Sequence, residues 1–266
     1  MTASGGVMSP LAVLTRPEGR NEALAGRLRA AGWEVCVLPA LRIVALPAPR
    51  APRPEDYDLV VFVSGNAARL YLKQVYASAG AWPAATVAAT VGPGSAQALF
   101  ESGYFGANTT VLYPDISAPT HDSEALWQVL SAQGALPRRV LLVRGTQGRN
   151  WLAERLREAG AQVTAYAAYQ RLPAQWDAAT LDALRAWARQ GRVATWLLTS
   201  GESIDAVAAQ IARADLLSWW RNCRYVITHP VLRGRLTLSF AGEGSAAMVK
   251  ECMPADEAIF EAFGAA

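Results

Sequence analysis

Six short segments carry the residue types that could do chemistry, and each lies between an apolar run and an amphipathic one. They are Thr15–Arg16–Pro17, Ser64–Gly65–Asn66, Gly92–Pro93–Gly94–Ser95, Arg144–Gly145, Thr199–Ser200–Gly201 with Ser203 just beyond, and Thr228–His229–Pro230. Small, polar and glycine residues in such places read as caps and turns. They also leave backbone N–H groups free where a helix begins, and those groups bind anions without a cationic side chain. Six such turns on one face of two α/β repeats favour binding of a small anionic ligand.

Other chemistries fit less well. Gly92–Pro93–Gly94 lacks the third glycine of the dinucleotide fingerprint, and no phosphate-binding loop ending in Gly-Lys-Ser/Thr is present. Gly145–Thr146–Gln147–Gly148–Arg149 reads as a simple loop leading into a helix. His121 and His229 are the only histidines, and Cys36, Cys223 and Cys252 are far apart. Neither a zinc site, a disulfide framework nor a Ser/His/acid set is therefore expected. Glu18, Glu202 and Asp205 read as partners of helix dipoles. His229 reads as a substrate contact or as a cap of its own helix. Tyr169, in AYAAYQR, reads as the end of a strand where the chain leaves for a Pro-rich crossing. A phenol there could donate a proton, anchor a ligand by a hydrogen bond, or simply pack.

The elements that must position these residues nearly repeat. LAVLTRP reads as a strand, GRNEALAGRLRAAG as an amphipathic helix stopped by Gly32, and WEVCVLP as a second strand. That order is a parallel βαβ unit. A shift of 128 positions lays it on Val140 to Gln170: Arg16 meets Arg144, Leu24 meets Leu152, Leu28 meets Leu156 and Gly32 meets Gly160. A shift of 136 carries Ser64–Gly65 onto Ser200–Gly201 and the Gly92 turn onto Thr228–His229–Pro230. The chain thus reads as two copies of one α/β half, each a parallel, doubly wound sheet flanked by helices. Pro-rich pieces at Ala45–Asp58 and Gln170–Asp177 mark crossings between lobes, Tyr113–Ser123 ends in an N-cap, and ADEAIFEAF near the end reads as a last helix.

The 266 residues suggest about two domains at roughly 150 residues each. Hydrophobic residues make up 52% and charged residues 18%, a mixture that can bury a core and excludes wholesale disorder. A net charge of +3 is too mild for a dedicated nucleic-acid binder. No apolar run reaches the roughly 18 residues that span a bilayer, so no membrane partner is expected. MTASGGVMSP reads as a short leader without the features of a secretory signal. Few apolar faces remain beyond the two cores, which favours a monomer; Trp219–Trp220 is the candidate for an exposed aromatic patch.

LTRP, FVSGNA, VGPGSAQAL, DSEAL, LLVRGTQGR, AYQR, LLTSGES and the THP turn occur in this order and at these spacings. Together they resemble the bacterial uroporphyrinogen-III synthase family, from about Leu11 to Gly242. The resemblance implies two α/β lobes joined by a two-stranded connection, with the site in a cleft between them. It implies that residues 1–43 and 174–266 form one lobe and residues 44–173 the other. The Pro-rich pieces would be the connecting strands. The implied reaction takes hydroxymethylbilane, a linear tetrapyrrole polycarboxylate, removes water, inverts the terminal pyrrole ring and closes the macrocycle in the cytoplasm. No metal or organic cofactor is implied. Tyr169 matches the family's tyrosine and would serve the leaving hydroxyl. Thr15, Arg16, Ser64, Gly65, Asn66, Gly92, Gly94, Ser95, Arg144, Gly145, Ser200, Gly201, Ser203, Thr228 and His229 would bind substrate. Many members have Ser-Pro where this chain has Ser64–Gly65 and Ser200–Gly201. A binding module for a small anion and a nucleotide-sugar transferase are the rival readings; the transferase lacks its usual diphosphate signature.

Overall fold

The computed structural model describes residues 8–47, 50–76, 80–134, 137–240 and 248–265. Most of the expected leader and two residues of the first Pro-rich piece, Ala48 and Pro49, lie outside them. The chain divides into two compact units, residues 1–42 with 172–266, and residues 43–171.

The chain starts with β1 (Leu11–Leu14), α1 (Glu22–Ala30), β2 (Glu34–Val37) and β3 (Leu41–Ala45). Next come β4 (Leu59–Phe62), α2 (Gly65–Val75), β5 (Val87–Thr90), α3 (Pro93–Phe100), β6 (Val111–Leu112) and α4 (Ser123–Ser131). The second copy of the opening motif is β7 (Arg139–Gly145), α5 (Trp151–Glu158) and β8 (Gln162–Pro173). Then follow α6 (Ala178–Arg189), β9 (Ala194–Leu198), α7 (Gly201–Arg213), α8 (Leu217–Arg221), β10 (Arg224–Ile227), α9 (Val231–Ser239), β11 (Val249–Glu251) and α10 (Asp256–Gly264).

One sheet has the order β11-β10-β9-β1-β2 and the other β3-β8-β7-β4-β5-β6. Reversed, the first reads β2-β1-β9-β10-β11, which superposes strand for strand on β8-β7-β4-β5-β6 of the second. The duplication seen in the residues is therefore a duplication of topology. All the neighbours just superposed pair in parallel. Both faces of each sheet are covered, as parallel sheets require. In the first unit Leu11, Val13, Trp196, Leu198, Tyr225 and Ile227 pack in one cluster, while Ala12, Leu14, Leu197 and Val226 pack in another. In the second, Val60, Phe62, Leu141 and Val143 face one core and Leu59, Val61, Val140 and Leu142 the other. Gly32 and Gly160 end α1 and α5 with φ of 86° and 91°, a left-handed conformation that glycine adopts without a Cβ clash.

Four expectations need correction. Tyr169 does not end a strand; β8 continues to Pro173. In the first copy the corresponding stretch is broken into β2 and β3, with Pro39 between them, which has no N–H to give to a ladder. The second copy has no proline there and runs on. Hence the crossings between units fall inside β3 and near the end of β8, and the first Pro-rich piece beyond Ala45 is loop and one 3-10 turn at Pro54–Asp56. Trp220 is no surface residue: it is fully buried, edge-on to Trp196 and Phe240. The constant shift of 136 also breaks at its last turn, because the N-caps are Gly92 for α3 and Pro230 for α9.

Candidate functional site

In each unit the singled-out residues lie at the carboxyl ends of parallel strands, where the chain turns into a helix, and that edge is where doubly wound sheets bind ligands. The two serine turns are built alike. Ser64 accepts the Ala67 N–H at 3.1 Å and Ser200 accepts the Ser203 N–H at 3.1 Å. Extended backbone at both serines lets the side chain reach the third helical residue. The N–H groups of Gly65 and Asn66, and of Gly201 and Glu202, precede the first intrahelical bonds and point off the helix start. Ser203 is buried and closes a capping box: it accepts the Ser200 N–H at 3.2 Å and donates to the Ser200 carbonyl at 2.7 Å.

The second unit brings a hydroxyl pair together. The Tyr169 hydroxyl lies 3.2 Å from Ser64 Oγ, and either can donate. Ser64 already accepts the Ala67 N–H, so its own proton is available for the phenol oxygen. The Tyr169 ring is 4% exposed and thus held in place. Its position comes from a register slip: Arg144 faces Ala167 but Gly145 faces Tyr169, so β8 carries an extra residue there. As a result the consecutive residues Ala168 and Tyr169 both pack in one core cluster. Gly145 is glycine because the ring lies across it; a Cβ would sit 3.0 Å from Cε2 and Cζ and 3.3 Å from the hydroxyl oxygen. The Thr146 N–H donates to the Tyr169 carbonyl at 2.9 Å and pins the strand beside the turn.

Several expected ligand residues are partnered, wholly or in part, within the protein. Thr15 is buried and its hydroxyl donates to the Leu197 carbonyl, tying β1 to β9. Arg144 fastens its own turn, with Nε donating to the Gly145 carbonyl, Nη1 to Asn150 Oδ1 at 2.6 Å and Nη2 to the Gly148 carbonyl at 2.6 Å. Arg16, its counterpart, pairs through Nη1 with Asp256 Oδ1 at 2.7 Å. His229 is exposed and its Nδ1 accepts the Val231 N–H at 3.2 Å, the capping alternative. Thr228 is buried at the tip of β10. Asn66 accepts from Arg69 Nη2 at 2.9 Å. Gly92 accepts from Thr90 Oγ1 and from the Ser95 N–H through its carbonyl, while Gly94 has open space around it. Asp205 is not a dipole partner alone: both its oxygens take Arg235, joining α7 to α9.

Residue reading missed two neighbours of the turns. His121 lies against Gly92, where an added Cβ would come within 2.8 Å of the His121 Cβ, and its Nε2 is 3.0 Å from the Asp115 carbonyl. Asp256 reads locally only as an acid in the first turn of α10. Neither contact leaves a local signal, because each joins segments far apart in the chain. Among the described residues no cluster of three His, Cys, Asp or Glu side chains could hold a metal ion, and no helix is long and apolar enough to cross a membrane.

A family model described as uroporphyrinogen-III synthase HemD matches residues 22–239. Uroporphyrinogen-III synthase of Salmonella typhimurium is 32% identical over 220 residues, covering 81% of this chain and 85% of that protein. The Escherichia coli protein of the same name is 28% identical over 222 residues with the same coverage. Among solved structures, a uroporphyrinogen-III synthetase from Helicobacter pylori has a TM-score of 0.57 at 14% identity, over 97% of this chain and 99% of that one. A mutant synthase from Thermus thermophilus has a TM-score of 0.52 at 16% identity, over 97% and 98%. These two share the fold.

Proposed function

The chain belongs to the uroporphyrinogen-III synthase family, a cyclising enzyme of tetrapyrrole biosynthesis, and from that premise we propose how its own residues carry the reaction. The substrate is hydroxymethylbilane, whose rings each bear acetate and propionate arms. The helix starts at Ser64–Gly65–Asn66, Gly92–Gly94, Ser200–Gly201 and Thr228–His229 supply main-chain donors for those carboxylates, and Ser95, whose N–H is taken by the Gly92 carbonyl, offers only its hydroxyl. Diffuse donors suit this chemistry, since rigid clamps on every arm would stop one ring from turning over.

Tyr169 serves the leaving hydroxyl. The pyrrole nitrogen expels that hydroxyl, so the protein need only donate a hydrogen bond or proton as the C–O bond breaks, and water departs. Ser64 Oγ, 3.2 Å from the phenol oxygen, steadies the negative charge that a donated proton would leave behind. The larger contribution is conformational: the bound bilane is folded so that ring inversion outpaces head-to-tail closure. The azafulvene cation must meanwhile be kept from water. Arg144 and Gly145 act through the turn and the ring they position; Thr15 and Ser203 shape the turns they cap or tie.

The protein acts as a cytoplasmic monomer with no metal, organic cofactor, nucleic-acid or membrane partner. Its three cysteines are free thiols, which fits a reducing compartment. The observation that carries the reading is the Tyr169–Ser64 pair beside Gly145, on a chain of this family. The test is conversion of freshly made hydroxymethylbilane: the type III isomer is expected, and the type I isomer alone rejects the reading.

A further inference from the structure

Duplication supplies an internal control for one side chain. Arg16 and Arg144 occupy equivalent strand tips, yet their guanidinium groups are used differently. All three nitrogens of Arg144 donate within their own turn, to Gly145, Gly148 and Asn150. Arg16 donates only through Nη1, to Asp256. Its Nε and Nη2 are buried and find no partner among the described residues. Arg16 as a whole is 9% exposed. The N-cap asparagines of α1 and α5, Asn21 and Asn150, differ in the same sense. Asn150 Oδ1 receives Arg144, whereas Asn21 turns its amide to the carbonyls of Arg16 and Pro17 and leaves Oδ1 unpaired.

The two unpaired nitrogens of Arg16 are not a random pair. Nε–H and one N–H of Nη2 point the same way along one edge of the planar group, the spacing that meets both oxygens of a carboxylate. Burying a charged donor without a partner is costly, so such an edge persists where a ligand completes it. Asp256 holds the opposite corner. It sits in the first turn of α10, which α1 anchors through Arg27–Glu257 and Arg27 over Phe260, and the following loop through Trp33 edge-on to Phe263. The fulcrum of that edge is thus the C-terminal helix, 240 positions away in the chain.

We infer that Arg16 is a carboxylate receptor for one substrate side arm, with its Nε/Nη2 edge presented to the arm and its orientation set by Asp256 as a positioning residue. This rests on the tetrapyrrole polycarboxylate reading above and names the group that meets one arm. It contrasts with the other turns, where main-chain donors act diffusely: a single firm anchor lets the remaining rings move about a fixed point.

The experiment compares wild type, Arg16→Lys and Asp256→Asn for KM, kcat and Tm with hydroxymethylbilane. Lysine keeps a charge for Asp256 but removes the two-point edge. Arg16→Lys is expected to raise KM about 10- to 100-fold with kcat within about threefold, the signature of lost ground-state binding. Asp256→Asn is expected to raise KM by a smaller factor, about three- to tenfold. A native KM in Arg16→Lys, or a fall in Tm with KM unchanged, overturns the receptor and leaves a latch for α10. Should Arg16→Lys not fold, the Arg16 Nε–H resonance of the wild-type protein decides: it is expected to shift during anaerobic titration with uroporphyrinogen III, and no shift overturns the inference. Wild type making the type III isomer while Arg16→Lys keeps its KM sinks the receptor alone; wild type making only type I sinks the functional reading itself.

Discussion

Gly145→Ala tests the machinery with one methyl group. The new Cβ would lie 3.0 Å from Tyr169 Cε2 and Cζ. An ordinary carbon contact is about 3.5–4.0 Å, so the ring must retreat by about 0.5 Å or more. Gly145 does not use the left-handed backbone that would itself penalise alanine, so the effect on the folded state passes through the ring. That ring is 4% exposed and packed in the core, so its retreat is resisted. Overpacking of this kind costs about 1–3 kcal/mol, offset by about 0.4–1 kcal/mol from the stiffer unfolded chain. The hydroxyl moves with the ring, and the 3.2 Å contact to Ser64 lengthens past useful range. A misplacement near 1 Å can cost about 100-fold in rate; for about half that shift, kcat should fall roughly tenfold. The assay is initial consumption of fresh hydroxymethylbilane with isomers resolved after oxidation, beside thermal unfolding. The double variant Gly145→Ala/Tyr169→Phe should be no slower than Tyr169→Phe within about threefold, because both act through one hydroxyl. Multiplying losses, or a Gly145→Ala protein with native rate and native Tm, would refute the reasoning.

Tyr169→Phe should lower kcat at or below the 10²–10⁴ range of general acid catalysis while leaving Tm close to wild type, read by the same rate assay. Ser64→Ala removes both an N-cap and the partner of the phenol; stability should drop by about 1 kcal/mol in denaturant titration, and kcat by roughly fivefold. Burial pushes the Cys223 thiol from 9.0 up to about 11. The folded state therefore holds that proton after the unfolded chain has lost it, so the contribution to stability is complete below pH 9 and declines as pH rises toward 11. Wild type should lose stability more steeply than Cys223→Ala across that window, and parallel curves would contradict the assignment.

Much of the fold was open to reading because its signals are local. Strand and helix periods, the Ser64 and Ser200 caps, and the Gly32 and Gly160 stops depend on residues within a few positions of one another. Repetition then exposed two copies of one topology, and the six turns fell where a parallel sheet presents its helix starts. The part played by Pro39 was also local in cause, though its effect, two strands in one copy against one long strand in the other, shows only when the sheets are built.

What the tertiary structure alone decided is which turn side chains find their partners within the protein. By type and spacing Arg16 and Arg144 are twins, yet one is consumed by its own loop, while the other reaches Asp256 and leaves two buried nitrogens without a partner among the described residues. Tyr169 looks like a strand end, but a one-residue slip against β7 turns it across Gly145 and onto Ser64. Patterns along a chain report the conformation of each short stretch, since that is set by neighbouring torsions and caps. Side-chain partnership is set by the register between strands and the docking of distant helices, and a shift of one residue there changes every contact while leaving the local pattern as it was.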